Sequence, residues 1–499
     1  MSVSSRHTRP RRARIRSGLT VVVFALFTAV FSQGLMANAQ DGHPLSLVDE
    51  HIHFDTVVKA TRGDIPYRGQ LLGQEVVEEW ACGVGHQGGP TSVPCGDPNL
   101  SAESLPSGKY TSGYGHYPTY FFLAAWFQPL WASVTGDDDL LNGYRAFSAI
   151  LMILGVLAAG LFAWLLGLRG SRLLAAVAVP VASSQTVLNG IIVNPGASAV
   201  LCGVLIAGTG LLWVQRDRGF VWFALAVTVA AVTAVTNSLP AGGFLIAMLV
   251  VLLGRRRWPR FAEGWRPRWW QLIMTAAIML VPVVVWGRFI AARATVANDV
   301  LYGWLPEAGG RDITVGATQE LFALHTPWRE TDGITSRTSN FFASELNAIS
   351  LAAPVWITVL VFGGLVALLW RAAHGRARTA LSAPSADPVQ TADSHVAAEA
   401  TVITAVGSSP RLPASARSVS GLDLVVLGSL LTVVAYPPAM RISQWLNFGI
   451  NHGIVDRYST ALAPILVFVL LVLIGNRTFS RALAVVGMLT ALGTVAGAV

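Results

Sequence analysis

The feature that most restricts this chain is its set of eleven apolar runs, at 18–37, 146–168, 172–189, 195–214, 220–236, 239–254, 269–289, 349–370, 421–439, 459–475 and 481–499. Runs of about twenty residues, rising ~1.5 Å per residue, cross the ~30 Å hydrocarbon layer as helices. In lipid, backbone groups must pair within their own segment, which favours helices as the crossing element. Only 12% of the 499 residues are charged, about half the share usual in a soluble chain. The sequence therefore predicts an all-α polytopic membrane protein with about eleven transmembrane helices.

Arginine placement orients the chain. The tail 1–17 holds six arginines ahead of the first run, which reads as a retained helix with a cytoplasmic N-terminus rather than a cleaved signal. One further stretch, "YPTYFFLAAWFQPLWASV" (117–134), is aromatic, interrupted by Pro129, and ambiguous as a span. If it does not cross, the cytoplasmic pieces hold 23 of the 35 basic residues but, counting Asp423, only 6 of the 27 acids. If it crosses, every later arginine-rich loop moves outside, against the positive-inside bias. We expect an interfacial helix there, on a long first extracytoplasmic loop spanning 38–145.

A second external loop is expected at 290–348, and residues 371–420, rich in Ala, Ser, Pro and Thr, form a cytoplasmic linker lacking the apolar surface to order itself. The membrane core then comprises 18–370, with the C-terminal helices in 421–499. The net charge of +8 comes mostly from arginines facing the cytoplasm, so it calls for membrane lipids rather than nucleic acid. Cys202 sits in an apolar run, whereas Cys82 and Cys95 bracket the polar "GVGHQGGPTSVP". On an extracytoplasmic face that pair reads as a disulfide; with His86 it is also a sparse zinc pattern.

Polar chemistry gathers beyond the first run. "SLVDEHIHFD" packs Asp49, Glu50, His51, His53 and Asp55 into seven positions. On a helix, Asp49 with His53 and His51 with Asp55 are i,i+4 neighbours, able to orient an imidazole or share a divalent cation. No H-E-x-x-H motif accompanies them, so no metal ligands are assigned and a zinc hydrolase is weakly supported. His116, Arg145, Asn194, Arg441, His452, Asp456 and Arg457 all fall at the same expected side. Arginine there offers bidentate donors to a phosphate, while snorkelling to the interface is the plain alternative for Arg441 and Arg457.

The ordered set "VDEHIHFD", "YGHYPTYFFLAAW", "NGYRAFSAILMILG", "VNPGA" and "VDRYSTALAP" resembles a bacterial membrane-protein family of unknown function, the domain-of-unknown-function-2142 family, over about residues 18 to 475. That family is in turn similar to the GT-C membrane glycosyltransferases, which take a sugar from a polyprenyl-phosphate donor at the outer face. The resemblance implies a GT-C-like fold, with 117–134 as its interfacial helix. It also implies that the Asp49–Glu50 pair contains the catalytic acid; His53, His116, Arg145, Asn194, Arg441 and Arg457 are the candidates from the residues themselves for binding the substrate around it. Relatives often carry an acid where this chain has Gly196, a departure that bears on metal binding and on catalysis itself.

The function expected from these readings is transfer of a sugar from a polyprenyl-phosphate donor to a glycan, lipid or protein acceptor of the cell envelope. A divalent cation is compatible with the acids but no resident cofactor is assigned. Two alternatives remain: a flippase or export component for lipid-linked saccharides, and a non-catalytic envelope-assembly protein.

Overall fold

The computed structural model describes residues 11–46, 49–85, 94–105, 108–255, 262, 264–297, 313–323, 325–328, 345–381, 419–448, 451 and 453–498. Helix α1 (Arg11–Ala39) is followed by α2 (Glu50–Thr61), α3 (Gln74–Ala81) and α4 (Thr119–Thr135), all preceding α5 (Leu140–Leu165). Next come α6 (Ser171–Ala178), α7 (Ser184–Ile191), α8 (Ala199–Arg216), α9 (Phe220–Thr233), α10 (Leu239–Gly254) and α11 (Trp269–Ala292). The chain continues through α12 (Ile313–Phe322), α13 (Glu345–Leu381), α14 (Gly421–Phe448), α15 (Ala463–Leu473) and α16 (Arg477–Ala498). Apart from one bridge between Leu71 and Tyr110, the described residues pair no strands.

The chain is an all-helical, multi-pass membrane protein. Nine helices among the described residues are long and apolar enough to cross a bilayer, or ten if one bent pair is a single span. That is fewer than the eleven runs suggest, and both departures have local causes. Over 172–189 the span is broken: Ser171–Val181 and Ser184–Ile191 meet at 68°. Pro180 lacks an N–H for the ladder, and Ser183, extended at φ −151°, caps α7 by accepting from the Thr186 N–H. The Trp328 indole donates to the Val179 carbonyl at the break (2.8 Å), so lipid need not solvate it. The other departure is α9, only 14 residues long before a 3-10 turn at Val235–Ser238.

Close approach of backbones binds the bundle. A Cβ on Gly428 of α14 would collide with the Gly243 carbonyl of α10, so glycine lets these two helices touch. Long apolar side chains that face outward, such as Ile273, Leu280 and Val284 of α11, present a surface suited to lipid rather than water.

Helix α4 packs along α2 and the first turns of α5, and leaves Trp126, Leu130 and Val134 exposed. Thr119 donates to the Val232 carbonyl near the end of α9, and Gln128 donates to the Asp138 carbonyl before α5. Helix α13 runs to Leu381, eleven residues beyond the expected linker boundary at 370, and 382–418 lie outside the described residues.

Candidate functional site

Helix α2 presents successive polar residues to different surroundings because each step turns ~100° around its axis. Asp49, its N-cap, adopts left-handed backbone angles (φ 57°, ψ 15°) and makes no side-chain cap bond. A non-glycine residue is held there at a cost of ~1–2 kcal/mol. The geometry turns the carboxylate away from the helix, where its oxygens meet Arg457 instead.

Glu50 has the opposite fate. It is completely buried and receives Arg145 in two-pronged fashion, Nε to Oε1 at 2.8 Å and Nη2 to Oε2 at 3.0 Å. The backbone N–H groups of Ser46 (2.7 Å) and Val193 (3.0 Å) donate to the same carboxylate. Burial alone would raise its pKa, but the adjacent guanidinium holds the carboxyl below its ordinary value. Arg145 also donates to the His43 carbonyl at 2.9 Å. These two expected site residues are therefore occupied with each other, tying α2 to α5 and to the 193 turn.

The i,i+4 pairings expected within α2, Asp49 with His53 and His51 with Asp55, give way to other partners. His53 Nδ1 donates to the Val193 carbonyl (3.0 Å), and its Nε2 lies 3.3 Å from Nε2 of His116. Asp55 instead holds Lys59 (2.6 Å) and the Gly73 N–H (2.8 Å), and burial pushes its pKa up. His51 is buried edge-on against Trp80, ring centres 5.1 Å apart. Among the described residues, no group of three or more His, Cys, Asp or Glu side chains is placed to hold a metal ion.

What remains accessible is a smaller cluster. Arg457, from the 3-10 helix Asp456–Leu462, places Nη2 3.4 Å from Asp49 Oδ2, with the Asp49 side chain 47% exposed. His116 enters from the turn ahead of α4 and lines a narrow cleft with Thr56, Asp64, Gly113, Phe121 and Phe122. Burial lowers the pKa of both imidazoles; Asp49 works against that at His116, and Arg457 adds to it at both rings. Both rings are thus neutral near pH 7.

Arg441 belongs to a separate buried network. Its Nη1 donates to Glu320 Oε1 (2.8 Å) and its Nε to Asn451 Oδ1 (2.8 Å). His325 bridges the other oxygen of Glu320 (2.7 Å) and Asp456 Oδ1 (2.9 Å). Burial would lower the His325 pKa, but hydrogen bonds and charge from the two carboxylates raise it on balance. Nothing in the sequence points to Glu320 or His325 beyond one histidine within a segment holding several acids. Because Asp456 adjoins Arg457, this network anchors the accessible arginine from behind.

Asn194 serves its own turn, accepting from the Gly196 N–H at 2.7 Å while its own N–H donates to the Tyr120 hydroxyl oxygen. A Cβ at Gly196 would lie 2.9 Å from Asn194 Oδ1 and 3.1 Å from the Asn189 amide, so an acid there requires that turn to shift. Cys82 and Cys95 form a disulfide, and Cys202 is a buried free thiol. His86 and His452 lie outside the described residues.

The fold and these contacts define the class: a multi-pass helical membrane protein with a polar cluster at one end of its bundle. No model of a known family matches the chain, so the resemblance to the domain-of-unknown-function-2142 family gains no support there, and no curated protein matches it. Among solved structures it is similar to the crystal structure of ArnT from Cupriavidus metallidurans bound to undecaprenyl phosphate. Identity is 12%, the TM-score is 0.35, and the match covers 94% of this chain and 77% of that one. A likeness so distant carries no argument about residues or activity.

Proposed function

We propose that this protein is a GT-C-type membrane glycosyltransferase that moves a sugar from a polyprenyl-phosphate donor to a cell-envelope acceptor at the outer face. The observation that carries this reading is the meeting of Asp49 and Arg457 from distant segments in an accessible contact, with His116 near enough to feel both charges, beside apolar helices. The neighbouring Glu50–Arg145 and Arg441–Glu320 pairs are buried and committed to each other. Their satisfied state leaves Arg457 as the guanidinium for the donor phosphate. Its contact to Asp49 is loose enough for a phosphate oxygen to compete for its donors.

In this reading 18–370 and 421–499 form the catalytic membrane unit, 38–145 and 290–348 face outward, and 371–420 is a cytoplasmic linker. Two observations support the orientation. Arg169, Arg172, Arg216, Arg218, Arg266 and Arg268 cluster at helix ends opposite the Asp49 cluster, as cytoplasmic loops do. The Cys82–Cys95 disulfide lies on the Asp49 side, as an oxidising compartment allows.

A positioned base supplies ~10²–10⁴-fold of rate, and electrostatic help to the leaving phosphate supplies much of the rest. The test is to incubate purified protein with a panel of polyprenyl-phosphate sugars and follow release of polyprenyl phosphate, comparing wild type with Asp49→Asn. Release by wild type that collapses in the variant supports the reading. Equal release by both removes Asp49 from the mechanism, and no release from any donor rejects the reading.

One observation favours a second reading, a lipid-linked saccharide carrier. The broken pair α6–α7 carries Gln185, whose buried amide oxygen and nitrogen have no hydrogen-bond partner among the described residues. Broken helices with polar groups within the bilayer are typical of transporters. Flipping of a labelled lipid-linked saccharide in proteoliposomes, without release of polyprenyl phosphate, would select that reading.

A further inference from the structure

The hydrogen bonds around His53 assign a tautomer, and the tautomer assigns a role. A carbonyl oxygen only accepts, so the bond between His53 Nδ1 and the Val193 carbonyl places the proton of neutral His53 on Nδ1. Its Nε2 is then a lone pair. His116 Nε2, 3.3 Å away, must be the donor in that contact. A neutral His116 therefore carries its proton on Nε2 and bears a lone pair on Nδ1. The ring lines the cleft with Thr56, Asp64 and Phe121 and feels the charges of both Asp49 and Arg457.

We infer that His116 Nδ1 is the proton acceptor of the transfer reaction, and that the cleft beside it receives a hydroxyl of a sugar or other polyol acceptor. The inference rests on the glycosyltransferase reading and goes beyond it by separating two roles that the acids of α2 would otherwise share. Asp49 becomes a positioning residue: it holds Arg457 and favours the protonated His116 ring, whereas His116 touches the acceptor.

The step balances. The acceptor oxygen forms a bond to the anomeric carbon as its proton passes to His116 Nδ1. The bond from that carbon to the phosphate oxygen breaks, its electron pair leaving with polyprenyl phosphate beside Arg457. The imidazolium keeps its Nε2 hydrogen bond to His53 and returns its proton to water. The cleft, lined by Thr56, Asp64, Phe121 and Phe122, is narrow, so it takes the acceptor's hydroxyl rather than its ring.

The charged and titratable groups around the ring are Asp49, His51 and His53 on α2, Asp64 after it, and Arg457 from the facing 3-10 helix. Two measurements on the full-length protein in lipid nanodiscs test the inference. First, nitrogen-15 histidine spectra should place the His53 proton on Nδ1 and the His116 proton on Nε2, and Asp49→Asn should lower the His116 pKa. A His116 proton on Nδ1 overturns the inference without any activity being measured. Second, His116→Ala should cut turnover by ~10²–10⁴-fold with little change in donor KM, and added imidazole should restore part of it.

His116→Ala turning over like wild type, or failing to respond to imidazole while still folded, rejects His116 as base and leaves the glycosyltransferase reading standing. Wild type that releases no polyprenyl phosphate rejects both.

Discussion

Arg145 and Glu50 face each other as a completely buried two-pronged pair, with Nε–Oε1 at 2.8 Å and Nη2–Oε2 at 3.0 Å across 95 residues of sequence. Their neighbours Asp49 and Arg457 meet loosely, in contact with solvent. One step along α2 therefore separates a carboxylate that organises the fold from one available for chemistry.

Removing either partner of the buried pair leaves an uncompensated charge in the interior. Glu50→Gln or Arg145→Met alone should destabilise the protein by ~3–5 kcal/mol. The double substitution should recover much of the loss. Thermal unfolding in detergent measures both, and a single variant as stable as wild type would show that the pair does not tie α2 to α5.

The helical bundle was legible because lipid forces apolar runs into helices, and each run reports its own length. The broken pair was not, since the Val179 carbonyl is rescued by Trp328, far away in sequence and uncued. Asp49 and Arg457 each stood out near a run boundary. Their meeting did not, because 408 residues separate them. Sequence also could not rank Asp49 above Glu50, which differ in role through a left-handed backbone angle and the location of Arg145. The expected i,i+4 pairings failed for a related reason: His53 turned to the distant Val193 carbonyl, and Asp55 took Lys59, one turn further along α2, in place of His51.

The Cys82–Cys95 disulfide closes a short loop whose Gly85 carbonyl accepts from the Leu45 N–H, one residue before Ser46 donates to Glu50. Its removal in Cys82→Ser/Cys95→Ser should cost about 3 kcal/mol, the usual effect for a loop of this size. In intact cells, Asp137→Cys on that background should react with an impermeant maleimide, whereas Arg169→Cys should react only after permeabilisation. The reverse pattern would invert the proposed topology.

His325 is held by Glu320 and Asp456, and its pKa is raised above the ordinary 6.5. Stability from the charged ring is therefore fully present below that ordinary value and lost as pH rises through the raised folded value. His53 and His116, whose pKa values are lowered, give the opposite slope: their contribution is present above 6.5 and lost as pH falls through their folded values. Subtracting the unfolding profile of His325→Gln from that of wild type isolates the first effect. The difference should shrink on the alkaline side; a difference constant with pH would show that the ring is not charged between the two carboxylates.

The central claim is that Arg457, set against Asp49 and backed by the Asp456 network, holds a polyprenyl-linked phosphate. Binding of polyprenyl phosphate to the purified protein, compared between wild type and Arg457→Gln, tests it most directly. One charge-assisted hydrogen bond is worth ~1.5–3 kcal/mol, so the variant should bind about ten- to a hundredfold more weakly. Equal affinity in the two proteins, both folded, would contradict the claim.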